Sequence, residues 1–144
     1  MTALRRGGYL HDLGKVAVPD AILLKNGPLT PEERAVIQRH PAVGEEICRP
    51  LRSFQEVLPI IRHHHERWDG SGYPDGLRGE AIPALARILQ VVDVFDALIT
   101  DRPYRRALPR AEALETLEAE VRKGWWDAGM VRAFREIVNG MNLP

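Results

Sequence analysis

The sequence predicts an all-α fold in a single domain, and three observations support this prediction. Apolar residues return at helical spacing between Ala84 and Thr100. Residues 30–33, Thr-Pro-Glu-Glu, combine a helix-capping Thr, a Pro at the first helical position and a Glu three residues after the cap. Strand-like alternation and internal repeats are not evident in the 144 residues, which are enough for one hydrophobic core.

The predicted elements follow one another along the chain with short connections. Residues 1–10 run directly into a histidine–aspartate pair, and residues 16–29 form a short stretch interrupted by prolines. Helices are then predicted at residues 31–40, 42–51, 54–65, 84–100, 110–122 and 127–139. Residues 66–83 are predicted to be a loop, because three glycines, one proline and two aspartates lie within residues 66–76. Long ordered loops are often functional, so we expect this loop to form part of a site.

The composition restricts the partners that the chain can bind. Lys plus Arg and Asp plus Glu number 20 each, so the basic excess typical of proteins that bind polymeric nucleic acid is missing. The single cysteine, Cys48, lies in an apolar run and is expected to be a small core residue. The sequence has neither an apolar run of the ~18 residues that span a bilayer nor a basic-then-apolar leader, so a cytoplasmic location is expected.

The five histidines lie in three short segments, at positions 11, 40 and 63–65. Two carboxylates lie on the helix predicted at residues 84–100, with Asp96 inside the apolar stripe and Asp93 at its edge. A core-facing carboxylate must be paired or bind a metal, because an unpaired buried charge is costly, and pairing with an Arg remains an alternative. Imidazole and carboxylate together suit first-row metals such as Fe, Mn, Ni or Zn. Adjacent helix residues point about 100° apart, so His64 and His65 could serve two different ions.

These residues belong to an ordered series of motifs. The series is Leu-His-Asp-Leu-Gly-Lys at 10–15, Ile-Leu-Leu-Lys at 22–25, Arg-His-Pro at 39–41 with Gly44, His-His-Glu-Arg-Trp-Asp-Gly-Ser-Gly-Tyr-Pro at 64–74, Ala-Arg-Ile at 86–88, Asp-Val-Phe-Asp-Ala-Leu at 93–98 and Asp-Arg-Pro-Tyr-Arg at 101–105. In this order the motifs resemble the HD-GYP family, within the HD superfamily of metal-dependent phosphohydrolases. The resemblance extends from about Gly8 to Phe134. It implies that residues 1–144 form an HD-domain bundle of about five to seven helices with a long Gly-Tyr-Pro loop.

The resemblance also implies roles for individual residues. The implied metal ligands, with Asp12 as the bridging carboxylate, are His11, Asp12, His40, His64, His65 and Asp93. Asp12 and Lys15 are the implied catalytic residues. The implied substrate-binding residues are Lys15, Gly72, Tyr73, Asp96, Ala97, Arg102 and Arg105. The implied cofactor is a pair of divalent metal ions, Fe, Mn or similar.

Some of these positions have a simpler interpretation. Lys15 could be a cation that caps the end of the first helix. Arg102 and Arg105 could be a solvated surface pair, because most arginines are exposed. His63 precedes the matching histidine pair, and we expect it to be structural or to support the neighbouring ligands.

For function, the resemblance implies hydrolysis of cyclic di-GMP to the linear dinucleotide, with GMP as a possible further product. Two alternatives stay open. The first is a degenerate module that binds cyclic di-GMP or a diguanylate cyclase (GGDEF) partner without cleaving a substrate. The second is a hydrolase of another cyclic nucleotide or dinucleotide, because a fold alone does not fix the substrate. A homodimer is a further possibility.

The N-terminal segment departs from the family pattern. Family members carry upstream helices that supply a further histidine ligand and, in some members, a glutamate for a third metal. Only ten residues precede His11, and none of them is His, Asp or Glu. A shortened chain, a partner chain that supplies the ligand, and a domain that binds without cleaving all remain open. A shortened chain predicts exposed apolar surface near this segment.

Overall fold

The computed structural model describes residues 2–101 and 105–141, and its architecture is helical. The α-helices of this part of the chain are α1 (Thr2–Leu10), α2 (Asp20–Leu23), α3 (Pro31–Ile37), α4 (His40–Cys48), α5 (Leu58–His63), α6 (Ala84–Ile99), α7 (Arg110–Arg122) and α8 (Ala128–Gly140). Short 3-10 turns lie at Leu13–Ala17, Arg52–Phe54 and Gly79–Ala81. The predicted all-α class is confirmed. None of the helices in the described ranges has both the length and the apolar character needed to cross a bilayer.

The starts of α3 and α8 follow from their capping residues. Thr30 Oγ1 accepts a hydrogen bond from the Glu33 N–H at 3.2 Å, and the Thr30 N–H donates to Glu33 Oε2 at 2.8 Å. Asp127 caps α8 by accepting from the backbone N–H groups of Gly129 and Met130. These side chains satisfy donors that the first helical turn leaves without partners. Both predicted helix starts are therefore confirmed.

Other boundaries differ from the prediction. The segment predicted as one helix at residues 31–40 ends as α3 at Ile37, and His40 is already the first residue of α4. The helix predicted from residue 54 begins only at Leu58, with Pro59 in its first turn, because Arg52–Phe54 is a separate 3-10 turn. Proline fits the first turn of a helix but not its interior, so Pro41 and Pro59 both mark helix starts.

Two groups of buried side chains hold the helices together. One group joins α6, α7 and α8 through Val91, Phe95, Ala113, Leu114, Leu117, Val131 and Val138. The other joins α4 and α5 through Cys48, Val57, Leu58 and Ile61. Cys48 is 1% exposed, which confirms it as a core residue, and burial raises the pKa of its thiol. Large apolar side chains are exposed in the N-terminal part of the chain, Tyr9 at 82% and Val16 at 77%.

The prediction that Asp96 lies on a core-facing stripe of α6 is wrong. Asp96 is exposed, and Val92 one turn earlier is 39% exposed. The buried residues of α6 are Ala86, Leu89, Gln90, Val91 and Phe95. The physical reason is that α6 packs against α1 and α5 on one side and against α7 and α8 on another. Its buried surface is therefore not the single stripe that one packing partner would produce.

Close backbone packing brings the turn after Asp12 against α4. A Cβ atom on Gly14 would lie 1.9 Å from the His40 carbonyl oxygen and 2.6 Å from the Gly44 nitrogen. A side chain at position 14 is thus excluded by backbone atoms that cannot move aside easily. Gly14 and Gly44 allow the approach that places the Asp12 carboxylate beside the His40 ring.

Candidate metal centre

The structure brings all six predicted metal ligands together around the carboxylate of Asp12. His11 and Asp12 directly follow α1, and His40 is the first residue of α4. His64 and His65 directly follow α5, and Asp93 lies on α6. The ligand atoms of Asp12, His40, His64 and His65 all lie within 4.8 Å of one another. This spacing is small enough for a single ion to contact several of them.

The two oxygens of Asp12 face different histidines. Oδ1 lies 3.3 Å from Nε2 of His40 and 4.0 Å from Nε2 of His64. Oδ2 lies 3.5 Å from Nε2 of His11 and 2.6 Å from Nζ of Lys15. His11 Nε2 is in turn 3.7 Å from Oδ1 of Asp93. The carboxylate of Asp12 therefore stands between two groups of candidate ligands.

Backbone carbonyl groups determine which nitrogen of each ring carries the proton. Nδ1 of His11 lies 2.7 Å from the Gly8 carbonyl oxygen, and Nδ1 of His64 lies 2.7 Å from that of Ile61. Nδ1 of His40 is likewise 2.8 Å from the carbonyl oxygen three residues earlier. A carbonyl oxygen only accepts, so each Nδ1 must donate, and a neutral ring then presents a lone pair at Nε2. Carbonyl partners of this kind are typical of metal-binding histidines.

The electrostatics of the cluster favour neutral His64 and His65 and an ionised Asp12. Burial, followed by the charge of His65, lowers the pKa of His64 to about 2. Burial, followed by the charge of His40, lowers the pKa of His65 to about 3. Burial alone would raise the pKa of Asp12, but the His40 and Lys15 side chains outweigh it and hold that pKa far below its ordinary value. At neutral pH His64, His65 and Asp12 are thus in the protonation states that metal ions require.

The atoms at the centre of the cluster lack a partner that would satisfy them. Nε2 of His40 and Nε2 of His64 are 3.2 Å apart, so two lone pairs face each other when both rings are neutral. Oδ1 of Asp12 is buried and accepts no hydrogen bond from any residue in the described ranges. Buried polar atoms without partners are costly, and each of these atoms is an electron-pair donor. The residues present therefore fit a divalent cation.

The Gly-Tyr-Pro loop covers one side of the cluster. The Tyr73 N–H donates to the His65 carbonyl oxygen at 3.1 Å, and the two rings have centroids 4.9 Å apart. A Cβ atom on Gly72 would lie 2.3 Å from the Arg67 nitrogen, so glycine is required where the loop folds back on itself. Burial raises the pKa of Tyr73 to about 12, which keeps the phenol protonated and able to donate a hydrogen bond.

Two cavities open beside the cluster, and His65 and Val94 line both of them. The first, called here the Arg105 cavity, has a volume of about 430 Å³ and is also lined by Asp12, Lys15, Asp93, Ala97, Leu98 and Arg105. The second, called here the Trp125 cavity, has a volume of about 490 Å³. Its walls include Arg34, Gln38, Arg67, Gly72, Tyr73, Glu120, Trp125 and Trp126.

The predicted substrate-binding residues are divided between these cavities. Lys15, Ala97 and Arg105 line the Arg105 cavity, and the Arg105 guanidinium donates to the Ala97 carbonyl oxygen. Gly72 and Tyr73 line the Trp125 cavity. The exposed Asp96 is outside both sets of lining residues, and Arg102 lies outside the described residues.

Sequence reasoning missed the far wall of the Trp125 cavity. Glu120 lies in the last turn of α7, and Trp125 follows the end of that helix. Both are outside the motifs that carry the resemblance. The available signal was the Trp-Trp pair after Gly124, since adjacent large aromatic residues at a helix end are candidates for a binding surface. Glu66, which stands in a quoted motif, was given no role although it is 0% exposed.

Comparison with known proteins identifies the family. A family model described as an HD domain matches residues 1–130, so the chain belongs to the HD domain family. The chain is 53% identical over 113 residues to the cyclic di-GMP phosphodiesterase response regulator RpfG of Xanthomonas campestris, an alignment that covers 77% of this chain and 30% of that protein. It is 46% identical over 134 residues to a cyclic di-GMP phosphodiesterase of Pseudomonas aeruginosa, covering 91% of this chain and 31% of that protein.

A solved structure agrees with these sequence matches. The crystal structure of a cyclic GMP-AMP-specific phosphodiesterase from Vibrio cholerae matches with a TM-score of 0.69 and 25% identity, covering 96% of this chain and 38% of that one. The predicted resemblance to HD-type phosphohydrolases is thereby confirmed. The chain spans about a third of the length of the curated relatives described above.

Proposed function

We propose that this chain is an HD-GYP domain, residues 1–144, that hydrolyses one phosphodiester bond of cyclic di-GMP to give the linear dinucleotide. The observation that carries the proposal is the set of electron-pair donors that have no partner at the centre of the histidine cluster. Oδ1 of Asp12 is buried without a hydrogen bond in the described ranges, and Nε2 atoms of His40 and His64 are 3.2 Å apart. A protein that did not bind a cation here would retain a costly arrangement of electron pairs.

The proposed ligand sets follow from the two faces of Asp12. His40, His64 and His65 would hold one divalent ion together with Oδ1 of Asp12. His11 and Asp93 would hold a second ion together with Oδ2. The mixture of imidazole and carboxylate suits Fe or Mn. When bound, such a pair of ions polarises the phosphodiester and lowers the pKa of an attacking water.

The chain's own cations have separate tasks in this proposal. Lys15 lies 2.6 Å from Oδ2 of Asp12, so it fixes the orientation of the carboxylate and keeps it ionised. Its ammonium also lines the Arg105 cavity, where it can stabilise negative charge that develops on a non-bridging phosphate oxygen. Arg105 lines the same cavity and can hold a second phosphate. Tyr73, kept protonated by its burial, positions the ligand from the loop.

The substrate is inferred from the relatives and from the charge of the chain. Two matched proteins are named cyclic di-GMP phosphodiesterases, which supports cyclic di-GMP as the first candidate. The matched Vibrio cholerae structure is described as specific for cyclic GMP-AMP, which supports this related dinucleotide as a second candidate. A formal net charge of zero is compatible with a small anion bound at a local positive site.

The decisive experiment combines metal analysis with product analysis. The purified chain is expected to contain about two metal ions per molecule and to convert cyclic di-GMP to the linear dinucleotide when Mn or Fe(II) is supplied. An Asp12→Ala variant serves as the control and is expected to do neither. Absence of both metal and turnover in the intact chain would instead support a module that binds cyclic di-GMP or a GGDEF partner. Equal turnover by the variant would remove Asp12 from the mechanism.

A further inference from the structure

The Trp125 cavity has a composition that the proposed hydrolysis does not explain. Its volume of about 490 Å³ lies within the range of ~300–1,000 Å³ that small-molecule sites occupy. One wall carries a carboxylate, Glu120, and the loop wall carries the guanidinium of Arg67. The phosphate chemistry proposed above takes place beside Asp12, in the other cavity. A cavity lined by both charges and by aromatic rings is therefore available for a different part of a ligand.

The position of the cavity suits one half of a dinucleotide whose phosphate lies at the metal centre. His65 and Val94 line both cavities, so a ligand can pass from one to the other along the same wall. Tyr73 packs against the ring of His65 and lines the Trp125 cavity. A phosphate near His65 thus leaves its attached nucleoside facing the Trp125 cavity.

The polar groups of the cavity are held in place by the surrounding structure. The Trp126 indole N–H donates to Oε2 of Glu120 at 2.7 Å. The guanidinium of Arg67 lies 3.8 Å from the centroid of the Trp125 ring. The Trp68 N–H donates to the Trp125 carbonyl oxygen at 2.9 Å, which ties the loop to the end of α7. Groups fixed in this way can discriminate between ligands.

We propose that the Trp125 cavity is a guanine-recognising subsite, in which Glu120 accepts from the N1–H and 2-amino groups and Arg67 donates to the O6/N7 edge. Guanine presents both donor and acceptor edges of this kind. Adenine presents a lone pair at N1, which a carboxylate would repel. Contact with the Trp125 ring holds the Arg67 guanidinium in place, so that its N–H groups can donate in the plane of the base. The proposal deepens the proposed function, since it assigns a base preference to the same active site.

The first test measures nucleotide binding by the metal-free chain, so it does not depend on turnover. GMP and AMP are titrated in EDTA while the indole N–H resonances of the three tryptophans are followed by NMR. The Trp125 resonance, assigned with a Trp125→Phe variant, should shift with GMP at about 10- to 100-fold lower concentration than with AMP. Equal responses to GMP and AMP, or a response confined to Trp68, would overturn the proposal.

Matched variants separate recognition from folding. Glu120→Gln should remove most of the preference for GMP, whereas Glu115→Gln, the same change at an exposed position of α7, should leave the preference intact. Arg67→Lys provides a second route if Glu120→Gln does not fold, because it keeps the positive charge but loses the forked donors. It should also weaken GMP binding more than AMP binding. Retention of the full GMP preference by both variants would contradict the assignment.

Kinetics distinguish failure of the subsite from failure of the proposed function. With cyclic di-GMP as substrate, Glu120→Gln should raise KM about 10- to 100-fold with a much smaller change in kcat. Turnover with a KM that is unaffected by Glu120→Gln would overturn the subsite and leave the hydrolase proposal standing. GMP binding that depends on Glu120, in a chain that cleaves no cyclic dinucleotide, would support the subsite and overturn the hydrolase proposal.

Discussion

Two clusters of histidine and carboxylate side chains lie next to each other at the end of α5. Each contains a buried atom without a hydrogen bond in the described ranges, Oδ1 of Asp12 in one and Nδ1 of His63 in the other. The cluster around Asp12 contains His40, His64 and His65, and the second cluster contains His63, Glu66 and Asp75. The candidate ligand atoms of each cluster lie within 4.8 Å of one another. Distance alone therefore does not distinguish the two.

The difference lies in what the carboxylate oxygens already hold. Arg62 donates to both oxygens of Asp75, at 2.7 and 2.8 Å. The Asp75 and Leu77 N–H groups donate to the two oxygens of Glu66, at 2.8 and 3.0 Å. In the first cluster, Oδ1 of Asp12 is buried and has no such donor within the described ranges. The comparison teaches that saturation of the oxygens separates a structural network from a candidate metal site.

The largest expected effect comes from removing the charge of Asp12 while keeping its shape. Asp12→Asn should lower kcat/KM on the order of 10⁴-fold and reduce the metal content, because the carboxylate faces both ligand groups. Asp75→Asn makes the same change in the second cluster and should leave the metal content unaltered. Elemental analysis and initial rates measure both variants. Loss of metal from Asp75→Asn as well would remove the proposed distinction between the clusters.

Acid should destabilise the two clusters over different pH ranges in the metal-free chain. His64 and His65 have lowered pKa values in the fold, so the unfolded chain binds more protons once the pH falls below about 6.5, the ordinary value for histidine. Stability should then decrease by about 1.4 kcal/mol per pH unit for each of the two histidines. Asp75, whose pKa is lowered first by Arg62, should lose its contribution only below its ordinary value of 3.8.

Urea unfolding in EDTA between pH 7 and 4.5 measures this slope. A His65→Asn variant should show a slope that is smaller by about 1.4 kcal/mol per pH unit. Stability that is independent of pH between 7 and 4.5 in the intact chain would show that these rings are not held neutral by burial.

The packing that brings Asp12 to His40 can be tested by adding one methyl group. Gly14→Ala should lower the free energy of unfolding by about 3 kcal/mol, because its Cβ would lie 1.9 Å from the His40 carbonyl oxygen. Gly140→Ala is the control, since a Cβ there has no neighbouring atom within 4 Å. Denaturant titration of the two variants gives the comparison. Equal stability would mean that the turn after Asp12 does not need this close approach.

The smallest expected effect concerns the second cluster. Glu66→Gln should lower the free energy of unfolding by about 1–3 kcal/mol, because an amide nitrogen cannot accept from the backbone N–H of Asp75 or Leu77. Its metal content should remain that of the unmodified chain. Glu56→Gln, at an exposed position, should change neither property. A loss of metal from Glu66→Gln at unchanged stability would indicate that Glu66 acts on the first cluster.

Much of the fold could be predicted from sequence because the signals are local. The capping box at Thr30 and the cap at Asp127 each act within one helical turn, and both helix starts are where the sequence places them. The exposure of Asp96 could not be predicted in the same way. It depends on which helices pack against α6, and a periodicity argument assumes a single packing partner.

The candidate site shows the same division between local and long-range information. The motifs indicated all six residues of the candidate metal centre, including Asp93, which lies on α6 and contacts His11. They set His63 apart by its position alone and gave no partner for it, because Glu66 and Asp75 are held beside it by Arg62 and by loop backbone groups that fold back later. The Trp125 cavity as a whole was not predicted from the sequence. Its walls come from α3, the loop and the end of α7, which are far apart in the chain.

The rings of His11, His40 and His64 each donate a hydrogen bond from Nδ1 to a backbone carbonyl oxygen. These hydrogen bonds affect the order in which a centre of this kind can be assembled. Each bond joins a ring to the residue three positions earlier, inside the same short segment. Each ring is therefore aimed by its own turn of chain, and its rotamer entropy is lost when that turn forms and not when an ion arrives. An incoming ion finds preoriented donors, so it has only to fix the spacing between segments.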